Sequence, residues 1–193
     1  HTVIDVHHTI TPPTSRFKVP GEKLFERIVP VDAEANLFVL APVDMVLHSS
    51  VHLFQEGDFS HGLRDLLDLN DLLKLFGKDS AFWPSLFVRA KELGLGEPLF
   101  HALHHSHRLF QASIPKGLLG EFTNIQPDWW ARQVTSLLLN LALQPHHPSC
   151  DGPLSDLARW LLFVRSHYLR MPWHLVIPHL TRKAFMRYVS AKK

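Results

Sequence analysis

The sequence predicts a mainly helical fold, a helical domain preceded by one or two strands. Three observations carry that expectation. The chain opens on an alternating run rich in β-branched residues, from His1 to Ile10, which reads as a strand. From Pro42 onward, apolar residues recur at helical spacing in one segment after another. Prolines and glycines stand between those segments and separate one helix from the next. The boundary is expected near residue 41, with residues 1–41 forming the strand-bearing part and residues 42–193 the helical domain.

Each element has its own reason. Side chains two apart share a strand face, so Val3, Asp5 and His7 point one way and Ile4, Val6, His8 and Ile10 the other. Thr11-Pro12-Pro13-Thr14-Ser15 is a stiff connector that ends any strand. Residues 16–36 read as irregular, with a short helix near Glu22–Arg27. Leu37-Phe38-Val39-Leu40 is a short extended run. A helix then starts at Pro42, where a missing N–H costs nothing, and Asp44 suits its positive N-terminal end. It runs to about Gln55 and stops at Gly57. The second helix spans Ser60 to Phe76, with a wide leucine face and Gly77 as its stop. Further helices fit residues 80–93, 98–111, 127–143, 154–169 and 173–190.

Composition narrows the classes. An apolar fraction of 46% is that of an ordinary globular protein. Cys150 is the one cysteine, so no internal disulfide forms and a reducing cytoplasm is the expected compartment. No run of about 18 uninterrupted apolar residues exists, so no membrane span is expected. The net charge of +2 is uneven. From Leu154 onward eight Lys/Arg face one acid, Asp156, while the preceding 153 residues carry 12 basic and 17 acidic groups. A solvated helical face explains such a run. A nucleic-acid surface is possible, but the aromatic interleaving of a single-strand binder is missing.

Asp44, His48 and His52 stand at i, i+4 and i+8, a spacing that stacks them along a helix. His61, Arg64, Asp65 and Asp68 follow at the start of the next helix. Two histidines at i, i+4 are a metal-ligand spacing. The Glu that a zinc-protease helix places after its first His is absent from His48-Ser49-Ser50-Val51-His52. The plainer reading buries His48 and His52 against Asp65 or Asp68. Arg64 and Asp68, at i, i+4, read as an ordinary helix ion pair, and Asp65 can turn inward to orient a histidine. His101, His104, His105 and His107 read as surface or interfacial, as do His146 and His147. No Gly-rich phosphate loop and no G-x-S-x-G elbow occurs.

The order of Val3-Ile4-Asp5-Val6-His7, then Leu40-Ala41-Pro42-Val43-Asp44-Met45-Val46-Leu47-His48-Ser49-Ser50-Val51-His52, then Gly62-Leu63-Arg64-Asp65-Leu66-Leu67-Asp68, resembles a bacterial, poorly characterised nucleotidyltransferase family of the DNA-polymerase-β-like superfamily. The resemblance covers roughly residues 2–112. It implies a small α/β catalytic core followed by a helical domain, and the opening strands are then what is left of that core. It also implies two Mg²⁺ ions held by a carboxylate trio, an NTP donor, an acceptor that the sequence does not identify, and release of pyrophosphate. Asp5 matches the third carboxylate, a catalytic and metal-binding residue. His7, His48, His52, Arg64, Asp65 and Asp68 would bind substrate or brace the cleft.

One departure matters. The superfamily's Gly-Ser and the Asp-x-Asp/Glu that follows it are absent. Asp32-Ala33-Glu34 has the right letters, but it follows Asp5 and no Gly-Ser leads into it. The chain is therefore expected to be the C-terminal portion of a nucleotidyltransferase, inactive alone, with Mg²⁺ and NTP bound only when the other half is present. Two other classes stand beside this one. The first is a helical metal-dependent hydrolase built on Asp44, His48, His52, His61 and Asp65. The second is a non-catalytic helical interaction module.

Overall fold

The computed structural model describes residues 9–12, 14–16, 18–32, 34, 36–118, 120 and 129–190. Nearly all of the predicted opening strand, including Asp5 and His7, lies outside the described residues. The remainder is mainly helical, as predicted, with one two-stranded antiparallel sheet.

The elements are α1 (Gly21–Phe25), β1 (Val29–Asp32), β2 (Leu37–Val39), α2 (Pro42–Gln55), α3 (Gly62–Phe76), α4 (Phe82–Glu92), α5 (Gly96–Phe110), α6 (Trp129–Ala142), α7 (Pro153–Arg170) and α8 (Trp173–Ser190). From Pro42 on, the helix boundaries fall within about two residues of those read from the sequence. Residues 16–36 are more ordered than expected. Val29 pairs with Val39 and Pro30 with Phe38, and an irregularity follows before Asp32 pairs with Leu37. All seven strand residues are exposed. A hairpin that buries neither face shows no alternation to read, and Pro30 is tolerated because, among the described residues, each strand is an edge. Asp32 closes its turn by accepting the Glu34 N–H at 3.0 Å.

Helix α2 is the centre of the bundle and packs on α3, α4 and α5. Its inner face carries Val43, Val46, Leu47, Val51 and Phe54, all buried. Leu66, Leu69 and Leu73 of α3, Leu86 of α4, and Leu99 and Leu103 of α5 meet them. Each such side chain contributes about 1.5–3 kcal/mol by leaving water. Val19 and Leu24 join the same core from the N-terminal side, and Leu139, Leu143 and Leu162 from the C-terminal side. Helices α6 and α7 pair with each other, and α8 leans on α7.

Two glycines fix the ends of α2 and α3. Gly57 has φ +74°, and a Cβ there would lie 2.5 Å from the Ser166 hydroxyl of α7. Glycine alone meets both demands. Gly77 has an ordinary helical φ of −67°. There the constraint is room, since a Cβ would stand 2.5 Å from the Leu73 carbonyl and 2.7 Å from the Trp83 ring.

Candidate functional site

The outer face of α2 and the start of α3 enclose a cleft of about 350 Å³. His48, Ser49 and His52 form one wall, Asp65 and Asp68 the other, and Asp58, Ser60 and His61 the connecting loop. Five of the residues singled out in the sequence, His48, His52, His61, Asp65 and Asp68, thus meet around one cavity. The reason is local. His48 and His52 are one turn apart on the face of α2 that turns away from the core. Gly57 reverses the chain tightly enough to lay the first turns of α3 alongside.

His48 is half-buried and His52 is exposed, with ring centroids 6.2 Å apart. The partner of His52 is Glu56, whose Oε2 lies 2.6 Å from Nδ1. For His52, this corrects the reading that buries it against Asp65 or Asp68. Glu56 was missed, although its i, i+4 spacing from His52 was visible in the sequence. Arg64 does not line the cleft. Its guanidinium lies on the Asp65 Oδ1 at 3.2 Å and is mostly exposed, so it braces Asp65 from outside and is not the Asp68 partner expected. Asp58 accepts the Ser60 N–H at 2.9 Å, and that bond holds its carboxyl below the usual carboxylate range.

The electrostatics are one-sided. Glu56, Asp58, Asp65 and Asp68 bring four carboxylates, and no Lys or Arg is among the lining residues. These side chains alone would repel a triphosphate. Their oxygens suit a hard cation in type. Yet among the described residues no three His, Cys, Asp or Glu stand close enough to hold a metal ion. As placed, they do not fit a metal centre.

Asp44 belongs elsewhere, which removes it from the hydrolase alternative. It is wholly buried, and Arg89 of α4 grips it with two bonds, Nε to Oδ1 at 2.8 Å and NH2 to Oδ2 at 3.1 Å. Arg89 is itself fully buried. Its other bonds go to Glu92 at 2.9 Å and the Lys23 carbonyl at 2.6 Å. The Asp44 carboxylate raises the pKa of Arg89 still further. A buried pair so fully bonded locks α2 to α4 and to α1. The drift of about 40° per four residues carries Asp44 away from the face that His52 occupies. Arg89 was missed in the sequence. Its signal was its place on the apolar stripe of α4, three residues after Leu86.

The α5 histidines also correct the expectation. His101 is 1% exposed and His105 is 0% exposed, while His104 is half-buried and His107 is exposed. None of the four ring nitrogens of His101 and His105 has a hydrogen-bond partner. Phe54 of α2 stacks within 6.0 Å of both rings. Burial holds His101 far below the ordinary histidine value, aided by the charge of Arg165. Burial, with His104 beside it, takes His105 down to about 3. Both are neutral aromatic core residues at any ordinary pH.

No helix among the described residues is long and apolar enough to cross a membrane. No curated protein and no solved structure matches this chain. The sequence profile of the family described as uncharacterised nucleotidyltransferase does match, over residues 1–111. That span includes Asp5 and both walls of the cleft and reaches the end of α5. Covering more than half of the chain, it establishes that this protein belongs to the uncharacterised nucleotidyltransferase family.

Proposed function

We propose that this chain forms the helical side of a nucleotidyltransferase cleft, where a nucleotidyl group passes from an NTP to an acceptor with release of pyrophosphate. Asp5 is the metal carboxylate that this chain contributes, and His7, two residues on in the sequence, binds substrate or braces the cleft. His48, His52, Asp65 and Asp68 bound the acceptor side, and Arg64 steadies Asp65. In this chemistry a pair of divalent ions, Mg²⁺ by preference, stabilises the attacking oxygen and the departing pyrophosphate. One carboxylate cannot hold two ions, and the chain contains no Gly-Ser to cradle the triphosphate. By itself it is therefore expected to turn over no NTP.

The observation that carries this reading is the extent of the family match. It includes Asp5 and both walls of the cleft in one continuous span, residues 1–111. The charge of the cleft supports placing it on the acceptor side. Four carboxylates without a Lys or Arg among the lining residues suit a neutral or cationic group better than a triphosphate. The test is pyrophosphate release from NTP with Mg²⁺, after supplying a segment that carries Gly-Ser and Asp-x-Asp/Glu. Release should appear only with both segments present. Asp5→Ala should lower it roughly 100-fold or more, the cost of losing a principal electrostatic stabiliser. Release unchanged by Asp5→Ala would contradict the assignment.

A further inference from the structure

A second cavity, of about 820 Å³, adjoins the cleft and shares Asp58 and Ser60 with it. It lies between the α2–α3 loop, α7 and α8. Its apolar lining is Phe59, Trp160, Phe163, Val164 and Leu180. The size falls in the range of small-molecule sites, about 300–1,000 Å³. Trp160 is 59% exposed, and a flat ligand can cover its ring.

The polar groups at its rim are already occupied. Arg159 donates to the Asp151 carboxylate at 2.6 Å, to the Gln144 carbonyl at 3.0 Å and to the Ala142 carbonyl at 3.3 Å. His146 bonds Asp151 at 3.1 Å, and Asp58 is engaged by Ser60. Asp156 also pairs with Arg159. Among the lining residues Asp58 is the one acid and Arg159 the one fixed cation, and Arg159 is already matched by Asp151 and Asp156 outside the lining. The arginine that might have drawn an anion thus has its bonds filled.

We infer that this groove seats the body of the acceptor, and that the acceptor is a neutral molecule with a flat aromatic or apolar body and a hydroxyl group. The body lies on Trp160 and Phe163, and the hydroxyl reaches past Asp58 and Ser60 towards the histidine cleft. The inference rests on the nucleotidyl-transfer reading for the word acceptor. The groove and its selectivity stand on their own geometry.

Calorimetric titration of the chain with 2-naphthol, against its charged isostere 2-naphthoate, tests this. Saturable 2-naphthol binding is expected, with 2-naphthoate weaker by about tenfold or more. Trp160→Ala should weaken 2-naphthol about tenfold. Val164→Trp, which fills the groove, should abolish binding at an unchanged melting temperature. Absence of 2-naphthol binding, equal binding by Trp160→Ala, or tighter binding of 2-naphthoate would each overturn the inference. The titration contains no nucleotide and no metal. A failure here thus overturns the groove alone, and a failed transfer assay overturns only the reading above.

Discussion

The molecule contains two histidine pairs of nearly the same geometry and opposite character. His48 and His52 on α2 stand at i, i+4 with ring centroids 6.2 Å apart. His101 and His105 on α5 stand at i, i+4 with centroids 6.1 Å apart. The first pair lines an open acidic cleft, with Glu56 against His52. The second is sealed against Phe54 and bonds to nothing through its ring nitrogens. Spacing therefore says little about a histidine's role here, and the face of the helix decides it. Asp44 repeats the lesson on α2 itself. One side of the helix spends its carboxylate on Arg89 inside the bundle, and the other side keeps its polar groups in the cleft.

The largest effect should come from breaking the inner side. Arg89→Met leaves the Asp44 carboxylate buried and unpaired, and should cost about 3–5 kcal/mol in chemical denaturation. The double change Asp44→Leu with Arg89→Met should recover most of that loss. A single variant as stable as the parent would mean that the pair does not hold α2 to α4.

Acid should separate the two histidine pairs next. A histidine kept neutral by folding takes up its proton only on unfolding. Its stability contribution is therefore full above the ordinary value of 6.5 and falls as pH drops below it. For His105 the fall continues towards about 3. Each sealed histidine adds a slope of about 1.4 kcal/mol per pH unit in that window. The charged or titratable groups facing the pair are His104 and Arg108 of α5, Arg132 of α6 and Arg165 of α7. Those arginines stay charged, so they do not move the window. Asp58 and Asp151, held low by their hydrogen bonds, lose their contribution only below the ordinary carboxylate value of 3.8. The double variant His101→Leu with His105→Phe should flatten the stability profile between about pH 6 and pH 4.5. A parent profile already flat there would contradict the sealed state.

A smaller loss is expected at the joint between the two regions. Gly57→Ala combines a positive φ with an overlap on Ser166 and should cost about 1–3 kcal/mol by thermal melting. The smallest effect belongs to the cleft. His52→Ala removes an exposed pair with Glu56 and should change stability by no more than about 0.5 kcal/mol. A larger loss would place His52 among the structural residues.

Much of the fold was legible because its cause is local. Pro42 marks the start of α2, and Leu66, Leu69 and Leu73 mark the inner stripe of α3. The cleft was half legible. His48, His52, His61, Asp65 and Asp68 were singled out in the sequence, whereas Glu56 and Asp58 were passed over. What stayed hidden depends on tertiary burial. Arg89 looks like a surface cation until Asp44 is placed opposite it, 45 residues away. His101 and His105 look like surface or interfacial groups until Phe54 and the rest of the core close over them. The hairpin was half hidden for the opposite reason: Leu37–Val39 was read as extended, whereas Val29–Asp32 buries nothing and leaves no alternation. Asp5 and His7 lie outside the described residues, so their part in the site stays with the proposal.

The central claim is that the outer face of α2 serves chemistry while the inner face serves the fold. Its most direct test measures pyrophosphate release and melting temperature together, with the complementary segment supplied. The variants to compare are His52→Ala with Asp68→Asn and, separately, His101→Leu with His105→Phe. The cleft variant should lose release by about tenfold or more at an unchanged melting temperature. Full release by the cleft variant would contradict the claim.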